Sequence, residues 1–105
     1  MEQLNYRFEG GKPVPGSTTI VGVLSSGNLE VLIEPAELNN ACEVEIRTAA
    51  RGFGATWQAV LNDFFARHPA ANIRVSINDA GATPAVVSLR LDQAMEAFVS
   101  TQGKS

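Results

Sequence analysis

Thr18-Thr19-Ile20-Val21-Gly22-Val23-Leu24-Ser25-Ser26-Gly27-Asn28-Leu29-Glu30-Val31-Leu32-Ile33-Glu34-Pro35 holds two β-type runs around one turn, and it decides the class of the fold. Thr18 to Leu24 is β-branched and apolar. Leu29, Val31 and Ile33 then alternate with Glu30, Leu32 and Glu34 until Pro35 stops the run. A period of two belongs to a strand, whose successive side chains leave on opposite faces, and β-branched residues fit that pleated surface. Between the runs, Gly27-Asn28 supplies the tolerance of positive φ that a tight hairpin needs. Two strands joined by a short exposed turn at Ser25-Ser26-Gly27-Asn28 are expected.

Downstream, Cys42, Val44, Ile46 and Thr48 alternate with Glu43, Glu45 and Arg47, which predicts a strand with one wet face. Past Gly52 and Gly54, the residues Trp57, Val60, Leu61, Phe64 and Phe65 recur at steps of three and four, the mark of a helix with one buried stripe that ends by Pro69. Ile73, Val75 and Ile77 predict a fourth strand, stopped by the turn Asp79-Ala80-Gly81. Thr83-Pro84 reads as an N-cap with proline in the first helical position, opening a helix with Val87, Leu91, Ala94, Met95 and Phe98 on one face. The order β-β-β-α-β-α predicts an α+β, two-layer fold: a four-stranded antiparallel or mixed sheet with two helices on one face.

Upstream, Gly10, Gly11, Pro13, Pro15 and Gly16 resist regular structure, so residues 1–16 are expected to be a flexible arm draped over a neighbour. Residues 17–100 then form a single domain and 101–105 a disordered tail. A chain of 105 residues with 45% apolar and 18% charged side chains supports one modest core and is not that of a disordered protein. Eight basic and eleven acidic residues give a net charge of −3 with no basic stripe, which argues against nucleic acid as a partner. The apolar runs are far short of the ~20 residues that cross a bilayer, so no membrane partner and a cytoplasmic location are expected.

Chemistry of the chain's own is hard to assemble. Cys42 is the single cysteine and His68 the single histidine, which excludes an internal disulfide, and a thiolate metal cage or a His-rich metal site built by this chain alone. Cys42 reads as a core residue of its strand, and His68 as a partner of a helix C-terminus. Asp63, Asp79 and Asp92 have no local partner in sequence and read as solvated surface charge. No phosphate loop, nucleophile elbow or dinucleotide fingerprint occurs. No catalytic residue and no metal ligand are predicted. The feature left over is the turn, where Gly27 removes the side-chain wall beside Ser26 and two hydroxyls stand where another enzyme can reach them.

Val21 to Pro35 resembles the modification segment of the malonate decarboxylase acyl carrier family, often called delta, and the related citrate lyase carrier has a similar stretch. Ile77-Asn78-Asp79-Ala80-Gly81-Ala82-Thr83-Pro84-Ala85-Val86-Val87-Ser88-Leu89-Arg90-Leu91 resembles that family's turn into its final helix, and Trp57-Gln58 its middle helix. The likeness spans roughly residues 18 to 100. It implies a non-catalytic acyl-carrier domain over 17–100 that bears 2'-(5''-phosphoribosyl)-3'-dephospho-CoA, joined by a phosphodiester to Ser26, with Gly27 and Asn28 completing the attachment motif. Asn28 stands where the family usually has aspartate, and Ser25 is the second choice for attachment. The implied partners are an acyl-carrier transferase subunit, decarboxylase subunits, a malonyl transferase and the transferase that attaches the prosthetic group. The group would carry acetyl and malonyl thioesters.

A phosphopantetheine carrier built as a helical bundle would open a helix with Asp-Ser-Leu, which is absent. Biotinyl and lipoyl carriers need a hairpin lysine, whereas Lys12 and Lys104 lie near the ends. The alternative from another class is an unmodified α+β domain that binds a small ligand or assembles through its sheet edge. A third is a small enzyme using Asp79 or His68.

Overall fold

Ile73, Val75 and Ile77 lie in the middle strand of a five-stranded sheet, where both neighbours cover the backbone and the inward side chains are fully buried. The computed structural model describes residues 1–22 and 28–102. Along them run β1 (Glu2–Glu9), β2 (Lys12–Pro13), β3 (Thr19–Val21), β4 (Leu29–Pro35), β5 (Ala41–Thr48), α1 (Gly54–Arg67), β6 (Ala70–Ala71), β7 (Ile73–Asp79) and α2 (Pro84–Gln102). The main sheet has the order β1-β5-β7-β4-β3, and β2 pairs with β6 in a two-stranded piece. β5 and β7 are parallel, as strands joined by a helical crossover can be, and the other main-sheet pairs are antiparallel.

The register puts the apolar positions in cross-strand rows on one face. One row runs Tyr6, Val44, Val75, Ile33, Thr19 and the next Leu4, Ile46, Ile77, Val31, Val21. Both helices cover that face. Trp57, Leu61 and Phe64 of α1 and Val87, Leu91, Ala94, Met95 and Phe98 of α2 complete a single core. Each fully buried side chain of that size contributes roughly 1.5–3 kcal/mol. The other face carries Arg7, Glu43, Glu45, Arg74 and Glu34, as the alternation predicts. There Arg7 and Arg74 reach Glu43 at 2.8 and 3.5 Å. Thr83 caps α2 as expected, its hydroxyl accepting from the Val86 N–H at 3.4 Å and its carbonyl from the Val87 N–H at 3.0 Å.

The α+β class, the mixed sheet and the two helices agree with the residue pattern. The number of strands does not. Residues 2–9, expected in a flexible arm, form β1, paired along its whole length with β5 from Glu2↔Thr48 to Glu9↔Ala41. Leu4, Tyr6 and Phe8 point inward, Phe8 stacks on Phe65 with ring centroids 5.1 Å apart, and the Tyr6 hydroxyl donates to the Gly54 carbonyl at 3.0 Å. These long-range contacts offset the ordering entropy that the local glycine and proline cluster suggests would win. The cluster itself governs the path of residues 10–16: at Gly16 a Cβ would come within 2.3 Å of the Phe98 ring, so the chain crosses the end of α2 only because glycine is there. Of the expected tail, residues 101–102 are the last of α2, and 103–105 lie outside the described residues.

Candidate functional site

The strand directions bring particular segments to one end of the sheet. β5 ends at Thr48 and β7 at Asp79, while antiparallel β4 begins at Leu29 opposite Asp79. Antiparallel β3 leaves the sheet at Val21 opposite Val31. Both helices start at this end, at Gly54 and Pro84, so residues 22 and 28, the turns after β5 and β7, and two helix N-termini share one rim.

Ser25, Ser26 and Gly27 lie outside the described residues, and Asn28 lies inside. Both roots of the intervening segment are tied down. Gly22 has φ +98°, and a Cβ there would sit 2.3 Å from the Leu29 carbonyl oxygen, so only glycine lets β3 leave so close to β4. Asn28 accepts the Leu29 N–H on its own Oδ1 at 3.0 Å, and its carbonyl accepts the Ala80 N–H at 2.9 Å. The side-chain amide thus bonds the first residue of β4, and the backbone carbonyl joins Asn28 to the turn after β7.

That second turn is organised by Asp79, which corrects its reading as solvated surface charge: it is only 4% exposed. One carboxylate oxygen accepts the Ala82 N–H at 2.8 Å and the other the Thr48 hydroxyl at 2.8 Å. Thr48 Oγ1 in turn accepts the Ala50 N–H at 3.1 Å. Each burial cost is met by a hydrogen bond, and the arrangement locks the two loops that come after β5 and β7.

Next to Asp79 opens a cavity of about 370 Å³, lined mainly by Phe53, Trp57, Val60, Ala82, Pro84 and Val87. Phe53 is the N-cap of α1 and makes no side-chain cap, though 51% exposed. An aromatic in a position that favours Ser, Thr, Asp or Asn stabilises its helix poorly, so it serves the cavity wall instead. The residue pattern assigned Trp57 and Val87 to the core and missed the opening between them. The signal available was Phe53 isolated between Gly52 and Gly54, facing the turn at Asp79-Ala80-Gly81.

At the opposite end, His68 ends α1, its N–H donating to the Phe64 carbonyl at 2.8 Å and its Nε2 lying 3.0 Å from Asp92. Asp92 also accepts from Arg67, which bonds Asp63 at 2.9 Å. Asp92 therefore does have partners, against its reading as an unpaired surface acid. Burial raises its carboxyl, but hydrogen bonds from Arg67 and His68 outweigh that and hold it below the usual value. Cys42 is buried, and desolvation, then the charge of Glu43, push its thiol up to about 12, as suits a core residue. Among the described residues no three metal-ligating side chains come together, and no helix is long and apolar enough to cross a membrane.

Fold and rim together define a small two-layer α+β protein whose β3–β4 connection is rooted beside an apolar cavity. Residues 16–98 match the family model described as malonate decarboxylase delta subunit, and the chain belongs to that family. It is 62% identical over 102 residues to the malonate decarboxylase acyl carrier protein of Stenotrophomonas maltophilia (strain K279a), covering 95% of this chain and 96% of that one. The protein of the same name from Burkholderia cepacia is 59% identical over 95 residues, covering 90% of this chain and 87% of that one. Among solved structures, a subunit in the crystal structure of a Pseudomonas malonate decarboxylase hetero-tetramer in complex with malonate superposes with a TM-score of 0.81. It is 35% identical, and the match covers 91% of this chain and 97% of that one.

Proposed function

We propose that this chain is the acyl carrier subunit of a cytoplasmic malonate decarboxylase and has no catalytic role of its own. It bears 2'-(5''-phosphoribosyl)-3'-dephospho-CoA through a phosphodiester on Ser26. Likeness along nearly the whole chain to proteins named malonate decarboxylase acyl carrier protein carries this reading. That group, when attached, supplies a thiol that holds acetyl and malonyl as thioesters, whose carbonyl accepts charge from the α carbon better than a carboxylate does.

The residues on the rim suit such a group. Gly22 lies close against Leu29 and Asn28 is hydrogen-bonded to Ala80, so the segment containing Ser25, Ser26 and Gly27 is rooted on the sheet at both ends. The apolar cavity beside that root is compatible with the apolar half of a pantetheine arm. The chain itself binds, presents and orients. A malonyl transferase, an acyl-carrier transferase subunit and decarboxylase subunits act on the load, and a separate transferase attaches it. Tethering raises the load's effective concentration at each partner to the millimolar range, so weak transient docking is sufficient.

Intact mass tests the reading. The chain produced with its attaching enzymes gains the mass of one prosthetic group, Ser26→Ala keeps the fold and stays unmodified, and Ser25→Ala still gains it. A bare chain in a working decarboxylase complex overturns the assignment.

A further inference from the structure

The cavity on the rim is bounded on its inner side by the core residues Trp57 and Val87 and at its mouth by the half-exposed Phe53. Six of its walls are Phe53, Trp57, Val60, Ala82, Pro84 and Val87, and its volume of about 370 Å³ falls within the ~300–1,000 Å³ of small-molecule sites. The one charged wall is Asp79, whose two carboxylate oxygens are already engaged by Thr48 and Ala82. A neutral, largely apolar ligand fits such a lining. An anion would be repelled by Asp79, and a cation would find a carboxylate already accepting one hydrogen bond on each oxygen.

Position narrows the occupant. The cavity wall at Asp79 and Gly81 flanks Ala80, whose N–H holds the Asn28 carbonyl at 2.9 Å, so the cavity adjoins the root of the segment that contains Ser26. We infer that the cavity is the resting site of the acyl-bearing, pantetheine end of the arm, and that it accepts the arm in its acetyl form and rejects the malonyl form. The inference rests on the carrier reading. The acetyl thioester is neutral and lies against the apolar walls Trp57, Val60 and Val87. The malonyl thioester adds a free carboxylate beside Asp79, and the repulsion of like charges favours release of that form to a partner. Phe53, half exposed at the rim and useless as a helix cap, closes over the arm. Because the arm is tethered, a millimolar dissociation constant is enough for substantial occupancy.

Trp57 is the single tryptophan of the chain and lines the cavity, so its fluorescence reports on this site alone. The unmodified chain is titrated with free S-acetylpantetheine and S-malonylpantetheine, with amide and methyl NMR shifts recorded in parallel. S-Acetylpantetheine should give a saturable change in Trp57 emission and move Val60, Ala82 and Val87, with half-saturation at roughly millimolar concentration, the level set by tethering. S-Malonylpantetheine should bind about tenfold or more weakly. Phe53→Ala should weaken the acetyl titration several-fold, and Ala82→Phe should abolish it by filling the space. Urea unfolding of both variants shows that the fold persists. Absence of any Trp57 or NMR response up to about 10 mM overturns the inference, as does a response that neither variant alters. Equal binding of the two thioesters overturns the selection by charge. The carrier reading stands or falls separately, on the mass of the chain.

Discussion

Asp79 and Thr48 show at the scale of single residues why an acid that looks solvent-exposed in sequence can be structural. The two lie 31 positions apart, and β5 and β7 bring them into register at the rim, where their side chains bond at 2.8 Å. Thr48→Val keeps the shape but leaves a buried carboxylate oxygen without its donor. The expected cost is about 2 kcal/mol, read as a lower urea midpoint with unchanged slope. A variant as stable as the parent would show that water or another donor serves Asp79 equally well. Nothing local marks Asp79 as buried, since Asp-Ala-Gly is ordinary turn chemistry. Gly22 was legible only as part of a motif, and the need for glycine there comes from the Leu29 carbonyl across the strand pair.

Elements that carry their own periodicity are the ones the sequence describes well. β4, β5, β7 and both helices obey the alternation or the three-and-four spacing of their apolar residues, and Thr83-Pro84 marks the start of α2. β1 has the same alternation in Leu4, Tyr6 and Phe8, but it precedes a glycine and proline cluster, and such clusters argue for loop. The strand forms because β5 offers it an unpaired edge. The C-terminal end of α1 is fastened to the middle of α2 in a way sequence does not reveal, through Arg67 and His68 on Asp92. Asp92→Asn should cost about 1 kcal/mol near neutral pH, the scale of a partly exposed pair. Because the folded-state carboxyl lies below its unfolded value, this stability is present above about pH 4 and lost as pH falls through the lower folded value. The difference between parent and variant should therefore shrink in acid, and a gap that widens there would contradict the pairing.

For the molecule as a whole, the sheet is open on one face and has two edges, β1 and the three-residue β3. β1 protects β5, whose inward residues Cys42, Val44 and Ile46 are buried. A chain lacking residues 1–9 should expose that edge and self-associate, seen as dimers or larger species by light scattering at concentrations where the full chain does not associate. A truncated chain that stays monomeric would mean β5 is shielded from elsewhere. Taken by itself, the sequence determined β4, β5, β7 and both helices, the turn after β7, that one core holds the chain, and which family's motifs it carries, because periodicity and turn chemistry act over a few residues. Tertiary structure alone decided that β5 and β7 run parallel, that residues 2–9 complete the sheet, and that Phe53, Trp57 and Asp79, the last held by Thr48, meet around a cavity beside the root of the 23–27 segment. Those outcomes depend on which surfaces bury each other across long separations, and local pattern carries no record of that competition.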